Sequence, residues 1–245
     1  MKKYPVVTNQ IDCACVIHGT AYDWTYVEKL YNMLSRHIPQ GIKMHVYTEH
    51  DRSVPPHMIK HCLEDWPGIT GPKKSWWYKM QLFNTEHYQG DLLYLDLDVV
   101  VMSDISWMFA LSTEKFWSIR DFRYLQNENQ GSMNSSVMWW DTQRFHYVWD
   151  EFCKTEKRHW FLKYPGDQDF ISDTVNIQNR RFFDQQRIKS WRWQCLDGGY
   201  DFSKKQWKIP GAGTAIDHET SILVFHGNPK PNEVTDPVIQ HYWAQ

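Results

Sequence analysis

Leu92-Leu93-Tyr94-Leu95-Asp96-Leu97-Asp98-Val99-Val100-Val101-Met102 is an apolar run broken only by two acids. A run of this kind reads as a strand buried on both faces, the central position of an α/β sheet. On extended backbone, carboxylates two residues apart point to the same side, roughly 6–7 Å apart by the strand rise. Acids at the C-terminal end of such a strand stand where open α/β sheets bind ligands. Two buried carboxylates repel and lose solvation unless a cation joins them, so a divalent metal is their natural partner.

Upstream, Cys13 to Ile17 is a short apolar strand that ends in His18-Gly19-Thr20-Ala21-Tyr22-Asp23. Val27, Leu30, Tyr31 and Leu34 then recur at helical spacing, with Thr25 and Glu28 as a capping box. Ile42, Met44 and Val46 alternate with polar neighbours, which is strand period. Strand, helix and strand at this spacing predict a βαβ unit and a parallel sheet. Ser75 to Tyr88 predicts a second helix feeding the acidic strand. Downstream, Val137–Trp140 and Ile222–Phe225 are further apolar strands, and residues 176–220 read as a long functional loop with short strands on the sheet. No linker or repeat divides the chain. The expectation is one α/β domain over residues 1–245, with a mostly parallel central sheet flanked by helices.

The 245 residues carry a net charge of −2, which excludes the basic field that non-specific nucleic-acid binding needs. No run of 18 apolar residues predicts a transmembrane segment, and Met1-Lys2-Lys3-Tyr4-Pro5 shows no secretory h-region. Five cysteines without metal-type spacing read as reduced thiols, hence a cytoplasmic protein. The 14 Trp, 13 Tyr and 12 Phe suit stacking on sugars or bases, but rings of this size chiefly fill cores.

Two enzyme classes use paired acids of this kind. Asp96 to Val100 satisfies the DxDx[TV] pattern of haloacid-dehalogenase-type phosphatases, where the acids end the first strand. In metal-dependent nucleotide-sugar glycosyltransferases the pair follows a nucleotide-binding βαβ half, which is the chain order found here. The segment Leu93 to Val101 resembles the DxD strand of GT-A fold glycosyltransferases, especially glycosyltransferase family 8, the glycogenin and bacterial galactosyltransferase group. Trp77-Tyr78-Lys79-Met80, Met133-Asn134-Ser135-Ser136-Val137-Met138, Asp167-Gln168-Asp169 and Phe225-His226-Gly227 with Lys230-Pro231 resemble further family segments, in the family's order. Ser136 stands where the family usually has Gly, and His226 and Lys230 are unusually close, as in a divergent branch.

The resemblance implies a GT-A, Rossmann-like fold, with a nucleotide-binding half at about 11–102 and an acceptor and catalytic half at about 103–231, and a site made of these residues. Asp96, Asp98 and His226 would hold Mn²⁺ (or Mg²⁺), a donor set that suits such an ion. Lys79 and Lys230 would meet the diphosphate, Tyr22 would stack on the base, and His18, Gly19 and Thr20 would line the nucleotide site. Asp121 and Asn134 would bind donor-sugar hydroxyls, with Asp96 also touching the donor. Gln168 and Asp169 would face the anomeric centre, and Asp167 reads equally well as a helix N-cap. The implied activity is transfer of a sugar from a nucleotide-diphosphate donor, a UDP-sugar, to a carbohydrate or other hydroxyl acceptor, with retention. A phosphatase with Asp96 as nucleophile and a non-catalytic sugar-binding module stay open as alternatives.

Overall fold

Cys13 and Cys15 face one side of the first strand and Ala14 the other, and all three are fully buried, so this strand lies inside a layered structure. The computed structural model describes residues 10–66, 69, 72–126, 131–195, 200–201, 206–207 and 216–244. Strand β1 (Ile11–Val16) leads into helix α1 (Trp24–His37) and returns as β2 (Ile42–Thr48), parallel to β1. The cap of α1 is Asp23 rather than Thr25: its carboxylate accepts from Thr25 N at 2.9 Å, so the expected capping box is one turn-start too late. Strand β3 (Ile59–Cys62), which shows no strand pattern in the sequence, adds to the β2 edge.

The helix expected from Ser75 to Tyr88 is instead a run of 3₁₀ turns over Pro72–Phe83. Next come β4 (Asp91–Leu95), β5 (Val99–Val101), β6 (Phe116–Arg120), β7 (Met133–Asp141) and helices α2 (Tyr147–Cys153), α3 (Lys157–Lys163) and α4 (Asp167–Thr174). Short strands β8 (Arg180–Phe182) and β9 (Ile188–Ser190), the hairpin β10 (Tyr200–Asp201) with β11 (Gln206–Trp207), β12 (Ile222–Val224) and α5 (Pro237–Ala244) complete the described elements. Residues 196–199, 202–205 and 208–215 of the 176–220 loop lie outside the described residues.

Seven strands form one sheet in the order β3-β2-β1-β4-β7-β6-β8. The β3-β2-β1-β4 portion and the β6-β8 pair are parallel, and β7 runs antiparallel to both β4 and β6. A second sheet, β5-β12-β9, packs beside α1. Leu93 and Leu95 of β4 face α1 and this second sheet, while Leu92 and Tyr94 face Trp77, Phe83 and Trp140. Both faces of β4 are covered, which is why its sequence shows no alternation. Large rings dominate the second core: Trp77, Tyr78, Phe83, Trp140 and Phe152 are essentially inaccessible, each contributing about 1.5–3 kcal/mol of burial. Among the described residues no helix is long and apolar enough to cross a membrane.

The acids do not sit on a continuous strand. Asp96, Leu97 and Asp98 form the turn where the chain leaves the large sheet at β4 and enters the small one at β5. Strand geometry therefore does not set the spacing of the two carboxylates, contrary to the i, i+2 expectation. The two carboxylates are brought together by a turn pinned on both sides: Asp96 N donates to Ser136 O (2.8 Å), and Asp98 O accepts from Phe225 N (3.1 Å).

Candidate active site

Lys79 is carried by the 3₁₀ segment into the interior, where it is 4% exposed. A buried ammonium needs paired charge and full hydrogen bonding. Its Nζ lies 3.0 Å from Asp96 Oδ1, 3.2 Å from Asp167 Oδ2 and 3.0 Å from Ser135 Oγ. Ser135 Oγ in turn donates to Asp167 Oδ2 (2.8 Å), and Tyr94 OH donates to Asp96 Oδ1 (2.6 Å). Burial works against ionisation of Asp96, but the Lys79 charge and hydrogen bonds from Tyr94, Lys79 and Ser136 outweigh it and hold its carboxyl below the usual range. Burial likewise disfavours charge on Lys79, and the Asp167 and Asp96 carboxylates reverse this, raising its pKa. Asp167 is thus no cap. The helix cap is Gly166, and the Asp167 side chain is spent on Lys79 and Ser135.

Asp98, 5% exposed, accepts from Tyr22 OH (2.8 Å) and pairs with Lys230. Burial and the like charge of Asp96 raise its pKa against the opposing pull of Lys230 and Tyr22. The Lys230 ammonium also stands 5.3 Å over the Tyr22 ring. Tyr22, Lys79, Asp96, Asp98 and Lys230 line one cavity of about 420 Å³ beyond the carboxyl ends of β1 and β4.

At the level of sequence, neither a family model nor a curated protein matches the chain. Solved structures do. The galactosyltransferase LgtC, solved as an active-site mutant, superposes with a TM-score of 0.67 at 11% identity over 95% of this chain and 94% of LgtC. The apo form of the glycosyltransferase GlyE of Streptococcus pneumoniae TIGR4 gives 0.68 at 15% identity, over 97% of this chain but 61% of GlyE. A glycosyltransferase involved in glycosylation of the major capsid of PBCV-1 gives 0.54 at 12% identity, over 95% and 99%. The fold is the GT-A glycosyltransferase fold.

In this GT-A frame the remaining expected residues fall into three groups. His18 lines the cavity, with its ring stacked on Tyr78 (3.9 Å, 25°) and Nε2 3.7 Å from Asp65. Gly19 takes φ +68, a left-handed conformation that favours glycine. Its N–H donates to Glu49 and its carbonyl accepts from Arg52 Nη2 (2.7 Å), so the loop is clamped to the end of β2 and that N–H is not offered to a ligand. Burial opposes ionisation of Glu49, but hydrogen bonds from Arg52, from backbone and from Thr48 bring its carboxyl down to about 2. Thr20 is exposed. The Glu49–Arg52 clamp carries no sequence signal beyond its short spacing.

The second group gathers at the start of α4. Gln168 Nε2 donates to Asp121 Oδ2 (3.1 Å), and Asp121 also accepts from Arg123 Nε (2.9 Å) and Nη2 (2.5 Å). Burial, Asp121 and Asp167 raise the Asp169 pKa against the opposing Arg123 charge. Asn134 Oδ1 accepts from Ser136 N (3.0 Å). The register of β6 on β7 shifts between Ser118 and Ile119, setting Ile119 against Asn134 and aiming Asp121 at α4. Arg123 carries no sequence signal, because an arginine two residues past an acid matches no motif.

His226 stands apart from the acids. Its Nε2 lies 2.7 Å from Ser190 Oγ, its ring stacks on Phe122 (5.2 Å, 14°), and burial with the nearby Arg192 charge lowers its pKa to about 4. Among the described residues no three His, Cys, Asp or Glu side chains are gathered as a metal cluster, so the expected triad of Asp96, Asp98 and His226 is not assembled. The oxygen donors of Asp96 and Asp98 do suit a divalent cation. His226 supplies a neutral imidazole next to Gly227 of the same cavity, but reaches a shared ion only by releasing Ser190 or presenting Nδ1. Gly227 itself has φ +77, and a Cβ there would meet Arg192 Nη1 at 2.5 Å.

Proposed function

We propose that this protein transfers a sugar from a nucleotide-diphosphate donor, a UDP-sugar, to an acceptor hydroxyl, with retention of anomeric configuration. The observation that carries the reading is one cavity in a GT-A fold where paired acids and two lysines meet beyond the ends of the parallel strands. Asp96 and Asp98, with His226, would hold Mn²⁺ or Mg²⁺, which when bound neutralises charge on the departing diphosphate. Lys230, 23% exposed at its side chain, is the cation placed to turn from Asp98 to that diphosphate, which also uncovers the Tyr22 ring for the base. Lys79 stays buried and sets the position of Asp96 relative to Asp167 at the head of α4.

Gln168 is held by its amide nitrogen on Asp121, which leaves the carbonyl end as the negative pole for a positive anomeric carbon. That supports attack on the leaving-group face more than a covalent sugar on Asp169. The phosphatase alternative loses its footing on topology, since the acids follow the fourth parallel strand and lie in a turn between two sheets. A cytoplasmic location belongs to the same proposal and rests on five free cysteines, three of them buried.

The test is a panel of nucleotide-sugars scored for hydrolysis with and without Mn²⁺, followed by proton NMR of the first-formed product. Metal-stimulated turnover of an α-linked donor to an α product is expected. Release of phosphate from an aryl phosphate, or a β product, would overturn the reading.

A further inference from the structure

Three aromatic residues follow one another in the 3₁₀ segment: Trp76, Trp77 and Tyr78. Trp77 and Tyr78 are 1% and 2% exposed in the ring-rich core, whereas Trp76 is 41% exposed and lines the cavity. Among the tryptophans whose burial is described, no other is as open. Its position is held by Gly166. That glycine has φ −165 and ψ 178, extended backbone that any residue adopts, so the main chain does not require glycine there. The indole does. A Cβ on Gly166 would lie 3.2 Å from Trp76 Nε1 and 3.5 Å from Cδ1. The bare backbone at the cap of α4 thus makes room for the ring, one residue before Asp167 and two before Gln168.

We infer that Trp76 is the stacking platform of the acceptor site and that the acceptor is a pyranoside carbohydrate rather than a peptide hydroxyl. The inference rests on the transfer reading above. An open indole in a cavity that charged side chains also line offers a flat apolar face, and the C–H face of a pyranose is its natural complement. The base and diphosphate belong to the part of the cavity where Tyr22 and Lys230 meet Asp98. Trp76 touches the cap of the helix that presents Gln168 and Asp169, so a sugar on its face lies beside the reacting carbon. A ring contact of this kind positions the acceptor without touching the bonds that break and form.

Two measurements test it. Saturation-transfer NMR with a panel of methyl pyranosides, on the wild-type chain with UDP and Mn²⁺, should show at least one pyranoside receiving saturation mainly on the protons of one face. Trp76→Ala should abolish this and Trp76→Phe retain most of it. In turnover assays with that pyranoside, Trp76→Ala should raise acceptor KM tenfold or more while donor KM moves less than twofold. Pyranoside binding that needs Trp76 in a protein without donor hydrolysis would sink the transfer reading and leave the platform standing. Donor turnover with acceptor KM unchanged in Trp76→Ala, or no pyranoside bound by the wild type, would overturn the platform.

Discussion

The Gln168 amide nitrogen donates to Asp121 Oδ2 at 3.1 Å, across the gap between the end of β6 and the head of α4. An amide is symmetric in shape but not in charge, so this one bond decides which pole turns away from Asp121. The same carboxylate is held by Arg123 through its guanidinium, which keeps Asp121 from turning away.

Asp121→Ala should therefore lower kcat by on the order of a hundredfold, comparable to losing one preorganised dipole. Gln168→Ala should cost a similar factor. Because both act through one group, the double variant should fall little further than either single one. A steady-state double-mutant cycle reads this directly, and fully additive losses would separate Asp121 from Gln168.

Lys79→Met removes the ammonium between Asp96 and Asp167 and leaves the buried Asp167 carboxylate with the Ser135 hydroxyl but no opposing charge. A broken buried pair costs about 3–5 kcal/mol. Urea unfolding at neutral pH should show a loss of this size, and adding Asp167→Asn should recover a large part of it. No recovery would mean that the lysine acts by packing alone.

Asp98→Asn should keep the fold, because burial and Asp96 already disfavour charge at this position. Metal-stimulated donor hydrolysis should be lost. Circular dichroism with a Mn²⁺ titration of turnover separates the two effects, and wild-type activity unaffected by EDTA would refute the metal proposal.

Glu49 carries an acid-range stability term. Its folded carboxyl titrates at about 2 against an ordinary 4.5, so its contribution is fully present above pH 4.5 and lost as pH falls toward 2. Glu49→Gln should lose on the order of 2 kcal/mol at neutral pH. Its stability should then fall less steeply than wild type between pH 4.5 and 2, measured by denaturant unfolding across that window.

A second pH window comes from the sheet edge. His45 Nε2 lies 2.8 Å from Asp12 Oδ1 and its Nδ1 lies 2.8 Å from His61 Nε2, linking β1, β2 and β3. Burial, then the charges of His45 and His87, lower the His61 pKa to about 4 from 6.5. The unfolded chain binds that proton first, so stability is full above pH 6.5 and declines as pH falls toward 4. His61→Gln should flatten this decline, and identical pH profiles would contradict it.

Some of this architecture was written locally. The apolar runs of β1, β2 and β4, the helical spacing of Val27, Leu30 and Leu34, and the acids at 96 and 98 each depend on neighbours within one or two turns of chain, so periodicity and burial needs expose them. What only the tertiary structure decided is which distant charges meet. Asp96 and Asp98 are set by a turn between two sheets, a feature that an apolar run conceals because both sheets bury the strands it joins. Lys79 joins Asp96 to Asp167, Gln168 faces Asp121, and His226 rests on Ser190 and Phe122. Each of these pairings satisfies a buried polar group with one from another part of the chain. Local pattern carries no record of that partner, because the pairing exists only once packing has closed the interior.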